Sequence, residues 1–314
     1  MSAGAALQAA FARAAEGVDP VESTVVLADL ALRFRIAGPR LAEAVLRPFR
    51  PLLDETATPV STVDLWSAAE TGIPLPDEVE PGPRRFVPAA DGSLALHVDE
   101  RSATALDRRR GDIVGHRQGR DELAGHELAK PFPEILAVRL FDAGHLKVHA
   151  GGVVGPDGAA LVIGPSGAGK STACLAAGLP LLGDDQVALR DGVAHALYAG
   201  TRLADHQVAV LGDGLEVHPV VGEKAIAFLD DLAPSAPVEV LLAPVDGGQA
   251  GLRPLSAARA LRIMAPSSVI GVAGGGADGF DRLAELVGSV PAFALDHGGS
   301  PETAGRLVRE ALGA

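Results

Sequence analysis

Gly164-Pro165-Ser166-Gly167-Ala168-Gly169-Lys170-Ser171-Thr172 is the stretch on which the reading of this chain turns. It fits G-x-x-x-x-G-K-[ST] at every constrained position, and each constraint has a physical reason. Glycines reach the positive φ values that turn successive backbone N–H groups inward around an anion, and they let a phosphate approach the main chain. A helix beginning near Lys170 adds the partial positive charge of its N-terminus. Lys170 is expected to reach the outer phosphates of ATP or a related nucleotide, and Ser171 to offer its hydroxyl to Mg²⁺. The competing reading is a glycine-rich turn carrying an exposed lysine.

Upstream, Leu146 to Val154 reads as a strand, Gly155-Pro156-Asp157-Gly158 as a tight turn, and Ala159 to Ile163 as a short apolar strand entering the loop. The loop therefore hangs from the second strand of a hairpin. Most dinucleotide-binding and RecA-like folds reach it from a parallel strand through a helical crossover. With Pro156 and Asp157 as the central turn residues, the ladder sets His149 opposite Gly164. That places an imidazole beside the mouth of the loop; the alternative is a strand histidine satisfied by its neighbours.

Downstream, a helix through Ala173 to Ala177 ends at Gly178, and Leu181-Leu182 leads into Gly183-Asp184-Asp185. Acids directly after the first apolar stub beyond a phosphate loop are where such a protein places its metal-binding carboxylate. Adjacent residues on a strand face opposite sides, so a regular strand aims one of them at the nucleotide, and Gly183 permits a kink that aims both. A surface turn is the other reading of the pair. Val187 to Arg190 and Val193 to Leu197 form a further hairpin around Asp191-Gly192.

These residues resemble a family. His149-Ala150-Gly151, the hairpin, the loop from Gly164 to Thr172 and Gly183-Asp184-Asp185 look like the catalytic core of HPr serine kinase and its relatives, whose fold is similar to that of phosphoenolpyruvate carboxykinase. Ala265-Pro266-Ser267 and the closing run from Val290 to Ala311 also resemble the tail of HPr-kinase-like proteins, including those that modify ribosomally made peptides such as lasso peptides. The resemblance covers about the C-terminal half. It implies an α/β P-loop kinase core that uses ATP and Mg²⁺. Lys170 and the loop amides would bind phosphates, and Ser171 with one aspartate would hold the metal. The other aspartate would draw the proton from an acceptor hydroxyl, supported by His149. The arginine- and glycine-rich signature that follows the acid pair in true HPr kinases has only Gly200-Thr201-Arg202 as its nearest counterpart. Arg202, Lys224 and His218 are candidates for the acceptor side, with a solvated surface lysine as the other reading of Lys224.

The remaining sequence reads as a smaller α/β domain over 1–133, a candidate for acceptor recognition, before a kinase domain over 134–314. Leu7 to Ala15 predicts a helix, Ser23 to Ile36 one alternating strand, Arg40 to Phe49 a helix, Ser93 to Val98 a strand and Glu134 to Leu140 an apolar helical face. Five prolines make Ile73 to Pro88 a loop or linker. His116, His126, Asp121 and Glu122 lack ligand spacing and are read as scattered loop residues. Trp66 and Tyr198 are read as packing residues.

Composition narrows the function classes. The 314 residues allow two domains, and a formal net charge of −13 opposes binding to nucleic acid, itself densely negative. One cysteine, Cys174, permits no internal disulfide, which fits the cytoplasm, and no apolar run is long enough for a membrane span. Four lysines stand against 23 arginines, so a lysine in the loop is there for its compact charge. The readings are a serine or threonine kinase acting on a peptide or small carrier protein, a small-molecule kinase, and a nucleotide-binding switch or assembly module. The sequence leaves homo-oligomer formation open.

Overall fold

The computed structural model describes residues 2–88, 92–204, 208, 217–218, 224–270 and 276–314. The protein is a mixed α/β chain that divides into two compact units, Met1–Asp142 and Ala143–Ala314.

The first unit opens with helix α1 (Ala3–Gly17), whose N-cap Ser2 hydroxyl accepts from the Ala5 N–H. Its buried face, Leu7, Ala10, Phe11 and Ala14, packs in one cluster with Trp66, Val98 and Ala103. The sheet strands are β1 (Val21–Leu27), β2 (Leu30–Ala37), β3 (Ser61–Ser67), β4 (Arg85–Pro88), β5 (Leu94–Val98), β6 (Ser102–Asp107) and β7 (Ile113–Arg117), in the order β1-β2-β3-β7-β6-β5-β4. The single strand expected over Ser23 to Ile36 is a hairpin instead. Ala28 and Asp29, at φ 47° and 70°, make a two-residue turn of the kind usually signalled by Asn-Gly or Asp-Gly, a signal that Ala28-Asp29 does not carry. The expected loop to Pro88 closes as strand β4, and its proline is tolerated because β4 is the sheet edge. Trp66 is wholly buried, its indole N–H donating to the Ile73 carbonyl. His116 lies in β7, buried edge-on to Trp66 at 5.2 Å, so it is a core residue and not a loop one.

Helices α2 (Pro39–Leu46), α3 (Ala68–Thr71), α4 (Gly125–Ala129) and α5 (Pro133–Asp142) complete this unit. The expected domain boundary at 133/134 compares with a division after Asp142. Helix α5 buries Ile135, Leu136, Val138 and Leu140 and packs on β5 and β6, which ties it to the first unit.

The second unit contains β8 (Leu146–Val148), β9 (Ala150–Val154), β10 (Ala159–Ile163), helix α6 (Lys170–Ala177), β11 (Leu181–Gly183), β12 (Val187–Arg190) and β13 (Val193–Ala196). Then come β14 (Gly200–Leu203), β15 (Val217–His218), β16 (Ala225–Phe228), β17 (Ser235–Val245) and β18 (Gly251–Pro254). Helices α7 (Ala257–Ala265), α8 (Gly276–Ser289) and α9 (Pro301–Ala311) enclose β19 (Ala292–Asp296). The central path runs β11-β9-β10-β17, and β19 pairs parallel with the far edge of β17. Strand β10, buried at all five residues, is antiparallel to β9 and parallel to β17. The hairpin reading is right: Val154 pairs with Ala159, Ile163 with Ala150, and the Gly155 N–H donates to the Gly158 carbonyl.

Strand Leu146 to Val154 is interrupted at His149. β8 pairs with β12 and β9 with β10 and β11, so the chain changes partners at that residue. Among the described residues no helix is long and apolar enough to cross a membrane.

Candidate functional site

The phosphate loop leaves β10 at Gly164 (φ 152°) and turns through Gly167 (82°) and Gly169 (88°) into α6, with Gly169 as N-cap. All three angles lie where a side chain is disfavoured, as the sequence argument requires. Helix α6 is fixed from behind by α9, where Gly305 crosses so closely that a Cβ would lie 2.0 Å from the Ala176 carbonyl oxygen. Arg309 donates to the carbonyls of Ala176 at 3.4 Å and Ala177 at 2.8 Å, capping the negative end of the loop helix.

Lys170 is 5% exposed, so the exposed-lysine alternative does not describe it. Its ammonium donates to the carbonyls of Gly164 (2.9 Å) and Pro165 (3.0 Å) and meets His149 Nε2 at 2.8 Å. His149 Nδ1 lies 3.2 Å from Asp185 Oδ1. One tautomer satisfies both contacts: the ring carries its proton on Nδ1, donates it to the carboxylate, and accepts from the ammonium through Nε2. Asp185, His149 and Lys170 thus form one chain of charge-assisted contacts across the loop. At the strand break, the His149 N–H finds no ladder partner and donates to the fully buried Ser268 hydroxyl at 3.1 Å. Ser268 belongs to Pro266–Ile270, a π-helical turn continuing α7, where a proline without an N–H widens the helix.

Asp184 is turned the other way and is 5% exposed. Its Oδ2 accepts the hydroxyl of Thr201, from β14, while its Oδ1 is buried without a hydrogen-bond partner. A buried, undonated carboxylate oxygen is the ligand type a hard divalent cation takes, and Mg²⁺ sites use one or two such carboxylates beside waters and phosphates. Asp184 therefore suits a cation such as Mg²⁺. The two acids are not a surface turn, since each is engaged by a different element.

Two residues after His149 the chain needs the glycine it has at Gly151: a Cβ there would sit 2.6 Å from Cys174 Sγ and 2.9 Å from the Asp184 carbonyl oxygen. Burial first, then the Asp184 charge, pushes the Cys174 thiol well up, against a lesser opposing effect of Lys170, which keeps it an inert packing group.

Ser166 is exposed at the loop's outer face with Pro165 and Gly167, while Ala168, Ser171 and Thr172 are partly covered. Arg202 neighbours Thr201 on β14 and faces away from Asp184's side of the strand by alternation. Lys224 is exposed immediately before β16. Of His218 only the backbone, on β15, is among the described residues. His116, His126 and Asp121 form no metal cluster among the described residues, and the Glu122 side chain lies outside them. Thr201 and Ser268 were not singled out from the sequence. Each stands within a residue of a stretch noted for its resemblance, Gly200-Thr201-Arg202 and Ala265-Pro266-Ser267, and neither shows a spacing that would have marked it.

No protein-family model and no curated protein sequence matches the chain. Among solved structures, the chain is weakly similar to the Hpr(Ser) kinase/phosphatase from Coxiella burnetii, at 15% identity and a TM-score of 0.27. The match covers 52% of this chain and 94% of that one. The functional reading is accordingly carried by the residues of the site.

Proposed function

We propose that this chain is an ATP- and Mg²⁺-dependent phosphotransferase of the HPr-serine-kinase-like class, moving the γ-phosphoryl group to a serine or threonine hydroxyl of a peptide or small carrier protein. The observation that carries the reading is the Asp185–His149–Lys170 contact chain spanning the phosphate loop. A nucleotide-binding switch needs a phosphate cradle and one metal acid. A second carboxylate oriented by an imidazole is the further equipment that proton transfer from a hydroxyl needs.

In this reading Lys170 and the loop N–H groups hold the outer phosphates, and Asp184 with Ser171 holds the metal. Mg²⁺ supplies charge neutralisation across the phosphate oxygens. Asp185 takes the proton of the acceptor hydroxyl as that oxygen bonds to the γ-phosphorus and the bond to the β,γ-bridging oxygen breaks, releasing ADP. His149 holds Asp185 in place and keeps Lys170 aligned along the loop. The first unit is assigned to acceptor recognition, and the protein to the cytoplasm.

The test is incubation with γ-labelled ATP, Mg²⁺ and serine- or threonine-containing peptides and carrier proteins. Label in a polypeptide supports the proposal. Label in a small product assigns the acceptor to the wrong class, and tight ATP binding with label nowhere replaces the kinase with a switch.

A further inference from the structure

The parallel strands β10, β17 and β19 end on one edge of the sheet, where ligands of open α/β sheets gather. Gly164 leaves the first and His297 follows the last. Because β17 pairs with β10 on one side and β19 on the other, His297 approaches the loop from the side opposite β9 and β11, next to whose ends His149 and Asp185 stand.

The turn holding His297 is tightly built. Asp296, fully buried, accepts from the N–H groups of Gly247 (3.0 Å) and Gly298 (3.3 Å) and from the Arg253 guanidinium (2.7 Å), and the His297 N–H donates to the Val245 carbonyl at 3.3 Å. The Gly299 N–H donates to His297 Nδ1 at 3.1 Å. With Nδ1 accepting, the neutral ring carries its proton on Nε2. That nitrogen lies 3.9 Å from where a Cβ on Gly169 would stand, against the N-cap of the loop helix.

We propose that His297 is a nucleotide-binding residue, donating from Nε2 to an acceptor oxygen at the nucleoside end of the bound nucleotide, on the α-phosphate or the ribose. This inference rests on the phosphate-loop reading above. The transfer chemistry of Asp185, His149 and Lys170 occupies the β9–β11 side, so the terminal phosphate points there and the nucleoside end extends towards β17 and β19. Nothing in the local sequence marks His297 as functional except its place between an acid at a strand end and two glycines, a pattern that fixes a turn as readily as it builds a site.

The experiment measures binding of ATP, inorganic tripolyphosphate and pyrophosphate to the full chain with Mg²⁺, for the native protein and for His297→Ala and His297→Gln. A lost hydrogen bond to a charged or hydroxyl acceptor predicts ATP affinity about 10-fold weaker in His297→Ala, with pyrophosphate unchanged. His297→Gln, whose amide reaches the Nε2 position with a donor, should recover most of it. Weakened tripolyphosphate binding places the contact on the α-phosphate, and unchanged tripolyphosphate binding places it on the ribose. Equal losses for ATP and pyrophosphate would make His297 a support of the loop and overturn the proposal, as would an unaltered ATP affinity in His297→Ala. A native chain that binds neither ATP nor pyrophosphate would overturn the loop reading itself and this inference with it.

Discussion

His149 Nε2 and the Lys170 ammonium stand 2.8 Å apart, joining a residue at a strand break to the first residue of the loop helix. The ammonium spends its other two donors on the carbonyls of Gly164 and Pro165. An ammonium has three donors, so a bound phosphate would replace one of these carbonyls as its acceptor. Replacing Lys170 by Ala removes a charge-assisted contact worth about 1.5 to 3 kcal/mol, so phosphoryl transfer should fall by about 10- to 100-fold or more. Circular dichroism would show the fold retained. Normal turnover in that variant would remove this loop from the active site.

His149→Ala should keep most of the nucleotide affinity and lose transfer rate, because the imidazole meets Lys170 and Asp185 and not the base. Steady-state kinetics should show the loss in kcat with KM for ATP little changed. A large rise in KM with kcat intact would mean that His149 serves only to align Lys170.

Thr201→Val keeps the shape of a side chain whose hydroxyl donates to Asp184 Oδ2. Removing that donor leaves a buried carboxylate with neither oxygen hydrogen-bonded, a cost of about 1 to 3 kcal/mol. The expected result is weaker Mg²⁺ binding, read as a higher metal concentration at half-maximal rate. An unchanged metal profile would separate Thr201 from the metal site.

The first unit should lose stability in mild acid. Burial, with a smaller push from the Arg117 charge, lowers the His116 pKa from 6.5 to about 4. The unfolded chain therefore binds a proton near pH 6.5 that the folded unit refuses until about pH 4, so stability present above pH 6.5 is lost progressively as pH falls through this window. A shift of that size corresponds to roughly 3 kcal/mol at most. Burial lowers His97 as well, against the opposing charge of Glu134, with the same sign of effect. Denaturant unfolding followed by the fluorescence of Trp66, the sole tryptophan and a ring neighbour of His116, reads the change directly. His116→Phe should flatten much of the pH slope; an identical slope would assign the acid sensitivity elsewhere.

The parts of the site that were legible in the sequence are those written in contiguous residues. The loop, the hairpin register and the acid pair are each set by a local rule: glycine at positive φ, a two-residue turn, acids after an apolar stub. The break at His149 was not legible, because it arises from β8 and β9 choosing different partners, a non-local competition that leaves Leu146 to Val154 looking like one strand. Thr201, Ser268 and His297 were hidden for the same reason. Each reaches the site from an element more than ten residues away from the loop, and neither a hydroxyl on a strand nor a histidine at a strand end carries a spacing. In the first unit, Ala28-Asp29 hid a hairpin because its positive φ values are imposed by the flanking ladder and not by the turn residues themselves.

The acid pair gives the sharpest division of roles. Asp184 Oδ1 is buried without a partner, whereas Asp185 Oδ1 faces the His149 ring at 3.2 Å. A metal ligand and a general base both need a carboxylate, but they fail differently when it becomes an amide of the same shape. Asp184→Asn should weaken metal binding, so activity should return in part at high Mg²⁺ concentration. Asp185→Asn should leave metal and nucleotide bound and lose about 10²- to 10⁴-fold in rate, with no recovery from added Mg²⁺. The measurement is initial transfer rate against Mg²⁺ concentration for both variants, with nucleotide affinity determined in parallel. Rescue of Asp185→Asn in place of Asp184→Asn would exchange the two assignments. Full activity in both at ordinary Mg²⁺ would end the kinase mechanism, because that mechanism assigns metal binding and proton transfer to these two carboxylates.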